Sequence, residues 1–363
     1  MKKVLISGYY GFGNTGDEAI LETLSAKFSK SGIMAEVLSF NPEKTHNTYD
    51  IKAYKRFNLP EIIKAVKGCD AVVSGGGSLF QDVTSSVSLY YYLGIVLIAQ
   101  LLGKKVYVFS QGIGPITKQF NRKILTRIIN KVEAISVRDE ISLEELVRMG
   151  VNKPEKMLTT DPVFMLEPAS EDIGKKILES SGVKLREKLT IGISARSWDS
   201  NNDSSAQIAE VVDGLIEEFN ANVILFPFQH PKDLEFARRI AEKARNKLYI
   251  IEAEYKPSQI MSAIGLMDIN IGIRLHALIF SVRMNVPVIG ITYDTKIDGF
   301  LKSIGLKPIC DYGNIQWEPI KNEIQKIINN KDEFLRQIRE GKELAEKRAF
   351  ENLNKLMEAI QNG

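Results

Sequence analysis

Cysteine and histidine are scarce in this 363-residue chain, with two of the first and three of the second. Cys69 and Cys310 stand far apart and follow no CxxC or metal-ligand spacing. They read as reduced structural thiols, which excludes a disulfide framework and a cysteine-based metal site. Carboxylates suited to a metal do not cluster either, so no metal is expected. An excess of one charge is also missing. The 48 basic and 45 acidic residues leave a net +3. No basic stripe with interleaved aromatics appears, which argues against nucleic-acid binding. Long apolar runs are absent as well. The longest, Val87 to Leu102, contains Ser88, Gly94 and Gln100 and is short for a bilayer span. It reads first as a buried helix and second as a membrane-surface patch. The chain opens on Lys2-Lys3-Val4-Leu5-Ile6-Ser7, a strand with no cleavage site behind it, so a cytoplasmic protein is expected.

What is present is an ordinary globular composition, 44% hydrophobic and 26% charged, at a length suited to two domains. Short β-branched runs alternate with segments of helical period. Strands are expected at Val4–Ser7, Glu36–Phe40, Ala71–Ser74, Val106–Ser110, Ala134–Val137 and Met157–Thr160. Thr190–Ser194, Asn222–Phe226, Leu248–Ile251, Ile269–Ile271 and Val288–Ile291 repeat the plan. Continuous apolar strands separated by helices predict parallel sheets covered on both faces. The fold class is therefore α/β, with two Rossmann-like doubly wound domains facing a central cleft. The expected division is a first domain over 1–165, a linker over 166–186, a second domain over 187–317 and an amphipathic helical tail over 318–363, interrupted by Gly341.

In doubly wound sheets ligands bind beyond the carboxyl ends of the strands, and unusual residues gather at those ends here. The first strand runs into Gly8-Tyr9-Tyr10-Gly11-Phe12-Gly13-Asn14-Thr15-Gly16-Asp17, a literal GxGxxG. The second strand lacks the acidic ribose ligand of a dinucleotide site, so NAD is disfavoured. Asp17 is placed to cap the next helix. The loop reads as a substrate-contacting turn, with Asn14, Gly16 and Asp17 as candidates; a tight turn whose glycines only permit positive φ is the plain alternative. The third strand ends in Gly75-Gly76-Gly77, whose amides could face an anion. The fourth ends in Gln111-Gly112-Ile113-Gly114-Pro115. Arg138 follows the fifth, where its fork could hold a carboxylate or phosphate; a salt bridge to Asp139 or Glu140 is the alternative.

The sharpest signal is Ile273-Arg274-Leu275-His276-Ala277 in the second half. A strand ends and a helix begins there, so Arg274 and His276 lie near a helix N-terminus with partial positive charge. A cation at that pole is disfavoured unless an anion joins it. Residues two apart share no helix face, so the pair converges only with Arg274 still in the turn. Other strand ends add Arg196, Gln229 with His230, and Lys296; for His230 and Lys296 an ordinary surface position is the plainer reading.

Together these motifs resemble the polysaccharide pyruvyl transferase family, in particular CsaB-like cell-wall enzymes. The resemblance rests on Gly11 through Ala19, Gly75 through Asp82, Gln111–Pro115, Ser136–Asp139 and Arg274-Leu275-His276, in the family's order through both halves. It implies a GT-B-like pair of domains and phosphoenolpyruvate as co-substrate, with no cofactor. Arg138, Arg274, Leu275, His276 and Gly75–Gly77 would contact this donor, the two arginines its phosphate and carboxylate, and His276 would move a proton. The cell-wall members imply a lipid-linked glycan acceptor bearing N-acetylmannosamine, a 4,6-linked ketal, surface-layer anchoring and peripheral membrane contact at the inner face. Two other readings of the same scaffold are a sugar-nucleotide glycosyltransferase and a non-catalytic sugar- or phosphate-binding protein.

Overall fold

The computed structural model describes residues 1–83, 85–185, 187–197 and 203–362. Arg186 and Gly363, which end the expected linker and tail, lie outside the described residues. The chain divides into two compact units. One holds Met1–Phe12, Asp17–Leu166 and the residues from Ala345 onward; the other holds Gly13–Gly16 and Glu167–Leu344.

Among the described residues, the first unit is built on a seven-stranded parallel sheet: β1 (Lys3–Ser7), β2 (Met34–Ser39), β3 (Lys52–Lys55), β4 (Ala71–Gly75), β5 (Lys105–Gln111), β6 (Ala134–Val137) and β7 (Glu155–Leu158). Their spatial order is β3-β2-β1-β4-β5-β6-β7. The connections carry α1 (Thr15–Lys30), α2 (Pro42–Tyr49), α3 (Leu59–Lys67), α4 (Ser86–Leu101), α5 (Gln119–Ile129) and α6 (Glu140–Arg148). All five residues of β4 are buried, as expected of a central strand covered on both faces. Order reverses between β1 and β4, with Ser7 beside Ser74, so the loops after these strands leave the sheet at its topological switch point.

The second unit repeats the design with a six-stranded sheet: β8 (Thr190–Ser194), β9 (Asn222–Leu225), β10 (Tyr249–Ile250), β11 (Ile269–Gly272), β12 (Val288–Thr292) and β13 (Cys310–Asp311), in the order β10-β9-β8-β11-β12-β13. Its helices are α7 (Glu171–Ser180), α8 (Ser205–Phe219), α9 (Lys232–Lys243), α10 (Pro257–Ile264), α11 (Leu275–Arg283), α12 (Thr295–Ser303) and α13 (Trp317–Asn329). The switch point lies between β8 and β11, with Ser194 beside Gly272.

Two segments differ from the expected division. Residues 166–186 form no loose linker, because α7 buries Ile177 and Leu178 in the second unit. A side chain on Gly174 would meet the Ser262 backbone of α10 at 2.7 Å, so the two helices touch where that side chain is missing. The tail is not a separate layer either. α13 buries Ile320, Ile324 and Ile327 in the second core. The final helix, α14 (Lys331–Gln361), groups with the second unit up to Leu344 and with the first from Ala345. Gly341 leaves α14 unbroken; Ile304 lies 2.8 Å from where its Cβ would be. Among the described residues, no helix is long and apolar enough to cross a membrane.

Candidate functional site

The second unit assembles most of the singled-out residues. Arg196 and Arg274 each follow by two positions the paired residues Ser194 and Gly272, so strand register alone sets them side by side at the carboxyl edge. Arg274 is the N-cap of α11, with φ −91 and ψ 124, and therefore still lies in the turn, the condition for it to work with His276. The anion that offsets its charge is internal. Asp233 accepts Arg274 Nε at 2.9 Å and also Nη2. The same carboxylate receives the backbone amides of Phe228 at 3.2 Å and Gln229 at 3.0 Å. The electrostatic cost of an arginine at this helix pole is thus met by the fold itself, and does not alone require a ligand. Gln229 Oε1 accepts a further bond from Arg274 Nη2 at 3.3 Å.

The Gly13–Gly16 segment belongs to this same cluster. Asn14 forms an antiparallel bridge with Gln229, Thr15 donates its amide to the Phe228 carbonyl at 2.7 Å, and His230 donates its amide to the Gly13 carbonyl at 3.1 Å. A Cβ on Gly16 would fall 2.0 Å from His276 Nδ1, so glycine here lets the imidazole lie directly on the backbone. Asn14 accepts the Gly16 amide at 3.0 Å and is the side-chain acceptor of the first turn of α1. Asp17, expected as the cap, instead lies inside that turn because the helix begins at Thr15.

Arg196 donates through Nη1 to the Tyr293 hydroxyl at 2.8 Å, its guanidinium carbon 4.8 Å from the ring centre. Burial, and then the neighbouring Arg274 charge, pull Arg196 below the usual arginine pKa. Lys296 pairs with Asp294 at 3.3 Å in the first turn of α12.

The first unit assembles the others. Arg138 bonds to Asp161 at 3.0 Å and to Ser78 Oγ at 2.9 Å, and Asp139 stands at 3.8 Å. Its closest carboxylate partner is therefore Asp161, with the expected ion pair to Asp139 as a second, longer one. Gly76 and Gly77 adopt φ +62 and +74, a region that disfavours side chains, and Asp17 Oδ1 lies 3.0 Å from where Gly77 would carry Cβ. The Gly76 amide is committed to the Phe109 carbonyl at 2.8 Å, so it does not serve as the anion donor expected of it. Gln111 is fully buried and donates to Ser74 Oγ at 2.7 Å; it braces the sheet here and is not a surface contact.

Two carboxylates hold these loops by opposite means. Burial raises Glu18 to about 7, although it accepts the Gly11 amide at 2.7 Å and the Tyr49 hydroxyl at 3.1 Å. Burial also opposes charge on Asp82, but bonds from Thr117, Lys118 and Asn121 prevail and hold it near 2. Among the described residues, no group of three or more His, Cys, Asp or Glu could hold a metal. The positions missed by sequence reasoning are Asp233 and Asp161. Ser78 and Tyr293 lie within singled-out strand ends, whereas the two aspartates carry no local signal.

Sequence comparison decides the class: the family model for Polysaccharide pyruvyl transferase matches residues 14–295. The chain belongs to the polysaccharide pyruvyl transferase family. As a member of that family it is a transferase of pyruvyl groups in polysaccharide biosynthesis. It is 21% identical over 397 aligned residues to the Amylovoran biosynthesis protein AmsJ of Erwinia amylovora, covering 93% of this chain and 94% of that protein. Among solved structures, the S. aureus MnaA complex with UDP matches at a TM-score of 0.68 and 13% identity, covering 98% of this chain and 95% of that one. HepE of Anabaena, in complex with UDP-glucose, matches at 0.66 and 11%, covering all of both chains. Likeness at such identities concerns the fold, and it places this pyruvyl transferase in the GT-B class of paired Rossmann-like domains.

Proposed function

We propose that the chain transfers the pyruvyl group of phosphoenolpyruvate to two hydroxyls of one sugar in a polysaccharide precursor, forming a ketal and releasing phosphate. The observation that carries this reading is the cluster at the carboxyl edge of the second sheet, where Arg196 and Arg274 stand side by side and His276 lies on the Gly16 backbone. Two guanidinium groups suit a donor with a phosphate and a carboxylate, and their charge would stabilise the departing phosphate.

One sugar hydroxyl adds to C2 of the donor while C3 gains a proton and becomes a methyl group. The C2–O bond to phosphate then breaks, and the second hydroxyl closes the ring on C2. Of the two hydroxyl protons lost, one is balanced by the methyl group and the other leaves with phosphate. His276 takes the proton of an attacking hydroxyl. The acceptor we propose is a lipid-linked precursor met on the cytoplasmic side of the membrane, with N-acetylmannosamine and a 4,6-ketal as the first case to try.

The test is phosphate release from phosphoenolpyruvate with a panel of lipid-linked or synthetic glycosides. Release is expected with at least one acceptor, and His276→Ala should lower it by about a thousandfold while the protein remains folded. Near-normal release by that variant would remove His276 from the mechanism. A second reading has support from the UDP and UDP-glucose in the matched structures: a sugar-nucleotide glycosyltransferase whose Arg274 end holds a diphosphate. Retention of a labelled nucleotide sugar, and none of phosphoenolpyruvate, would favour it. Binding of either ligand without turnover would instead indicate a carrier.

A further inference from the structure

α4 contradicts the usual relation between hydrophobicity and burial. It holds no charged residue, and an apolar helix of a globular protein normally lies inside. One stripe of it nevertheless faces solvent. Val87, Tyr90, Leu97 and Leu101 are exposed, Val87 by 75% and Leu101 by 76%. Their spacing of three, seven and four residues keeps them on one side of a helix with 3.6 residues per turn. Gly94 lies on the same side, and a Cβ added there would meet nothing within 4 Å.

The neighbouring α5 runs parallel to α4. Ser86 receives Lys118 Nζ at 2.9 Å, the Tyr90 hydroxyl reaches Asn121 at 2.6 Å, and near the other end Gln100 donates to the Ile128 carbonyl at 2.9 Å. The outward stripe of α5 carries Phe120, 66% exposed, followed by Lys123 and Arg127, both exposed. The surrounding sequence is one-sided in charge. Between Asp82 and Glu133 there are seven Lys or Arg residues and no Asp or Glu, in a chain whose charges otherwise nearly cancel.

An apolar ridge beside a basic one is the chemistry of a surface that rests on an anionic bilayer, with aliphatic groups entering the acyl boundary and lysine and arginine meeting the headgroups. We propose that the outer face of α4 and α5 docks this protein on anionic membrane. The inference stands on this surface alone and not on the reaction, so either can fail without the other.

Flotation of the full chain with vesicles tests it, comparing mixed phosphatidylglycerol and phosphatidylcholine with phosphatidylcholine alone. The chain should float with the anionic vesicles, less with the neutral ones, and less again as salt rises to about 0.2 M. Val87→Glu with Leu101→Glu, both at highly exposed positions, should cut flotation about tenfold at an unchanged melting temperature. Lys123→Gln with Arg127→Gln should weaken flotation and flatten its salt dependence. Equal flotation with both vesicle types, or full flotation by the glutamate variant, overturns the proposal. So does a lipid-free dimer that the glutamate variant separates without either form binding vesicles, which would assign the face to a second copy of the chain.

Discussion

The two sheets solve the same problem differently. Each sets an arginine just past the end of a central strand and answers it with a carboxylate distant in sequence: Asp161 lies 23 residues from Arg138, and Asp233 lies 41 residues from Arg274. In the first unit one arginine meets Asp161 with Asp139 nearby, so acid outnumbers base. In the second, Asp233 binds Arg274 while Arg196 bonds to the hydroxyl of Tyr293. The lesson is that an arginine at a strand end does not mark anion binding by itself; the ratio of guanidinium to carboxylate does. On that basis the second unit should dominate recognition of the donor.

Arg274→Ala puts most weight on this contrast. It should reduce turnover by about a hundredfold or more. It should also destabilise the protein by about 3 kcal/mol in chemical denaturation, because Asp233 is left buried without its partner. Adding Asp233→Asn should restore much of the stability and none of the turnover. An unchanged stability in the single variant would mean that the pair does not compensate as described.

Arg138→Gln should act more weakly, raising KM for phosphoenolpyruvate about tenfold, the value of one charge-assisted bond. Steady-state kinetics as damaged as those of Arg274→Ala would erase the asymmetry.

The smallest effect concerns pH. Glu18 keeps its proton up to about 7 in the folded chain, against an ordinary value of 4.5. The folded state therefore binds more protons between these values, and its contribution to stability falls as pH rises through them. Glu18→Gln should flatten the melting temperature across that window. An unaltered slope would place the titration elsewhere. Asp82 has the opposite sign, its contribution being lost as pH falls from 3.8 towards 2.

Much of this architecture was legible because central strands announce themselves. Thr190–Ser194 and Ala134–Val137 fall at their expected bounds, since parallel strands covered on both faces are nearly continuous apolar runs. The edge strand Lys52–Lys55 was missed because the lysines at its two ends look like surface, and Cys310–Asp311 because two residues carry no period. The charged stretch around α7 read as a linker because its buried residues, Gly174, Ile177 and Leu178, are few and flanked by charged side chains. At the candidate site, Arg274, His276, Asn14, Gly16, Gln229 and Arg196 lie in one cluster, each of them a strand-end or loop residue that the sequence singles out. Asp233, in the first turn of α9, and Asp161, after β7, escaped because only the tertiary fold brings them to their arginines. Gln111 was misplaced because a motif position does not reveal which way a side chain turns.

Neither unit is a continuous stretch of chain, and the first is finished by α14. The later half of that helix supplies Asn352 to Ser110 at 2.9 Å, the Arg348 carbonyl to Thr159 at 3.0 Å and the Ala359 carbonyl to Tyr107 at 3.2 Å, all within the first unit. The strands of the first unit are thus completed by a helix that lies after the whole second unit in the sequence. Chains that emerge in order usually let the leading domain settle before the trailing one is made. Here the earlier strands must wait for α14, which is made only after the second unit, before the first unit is complete.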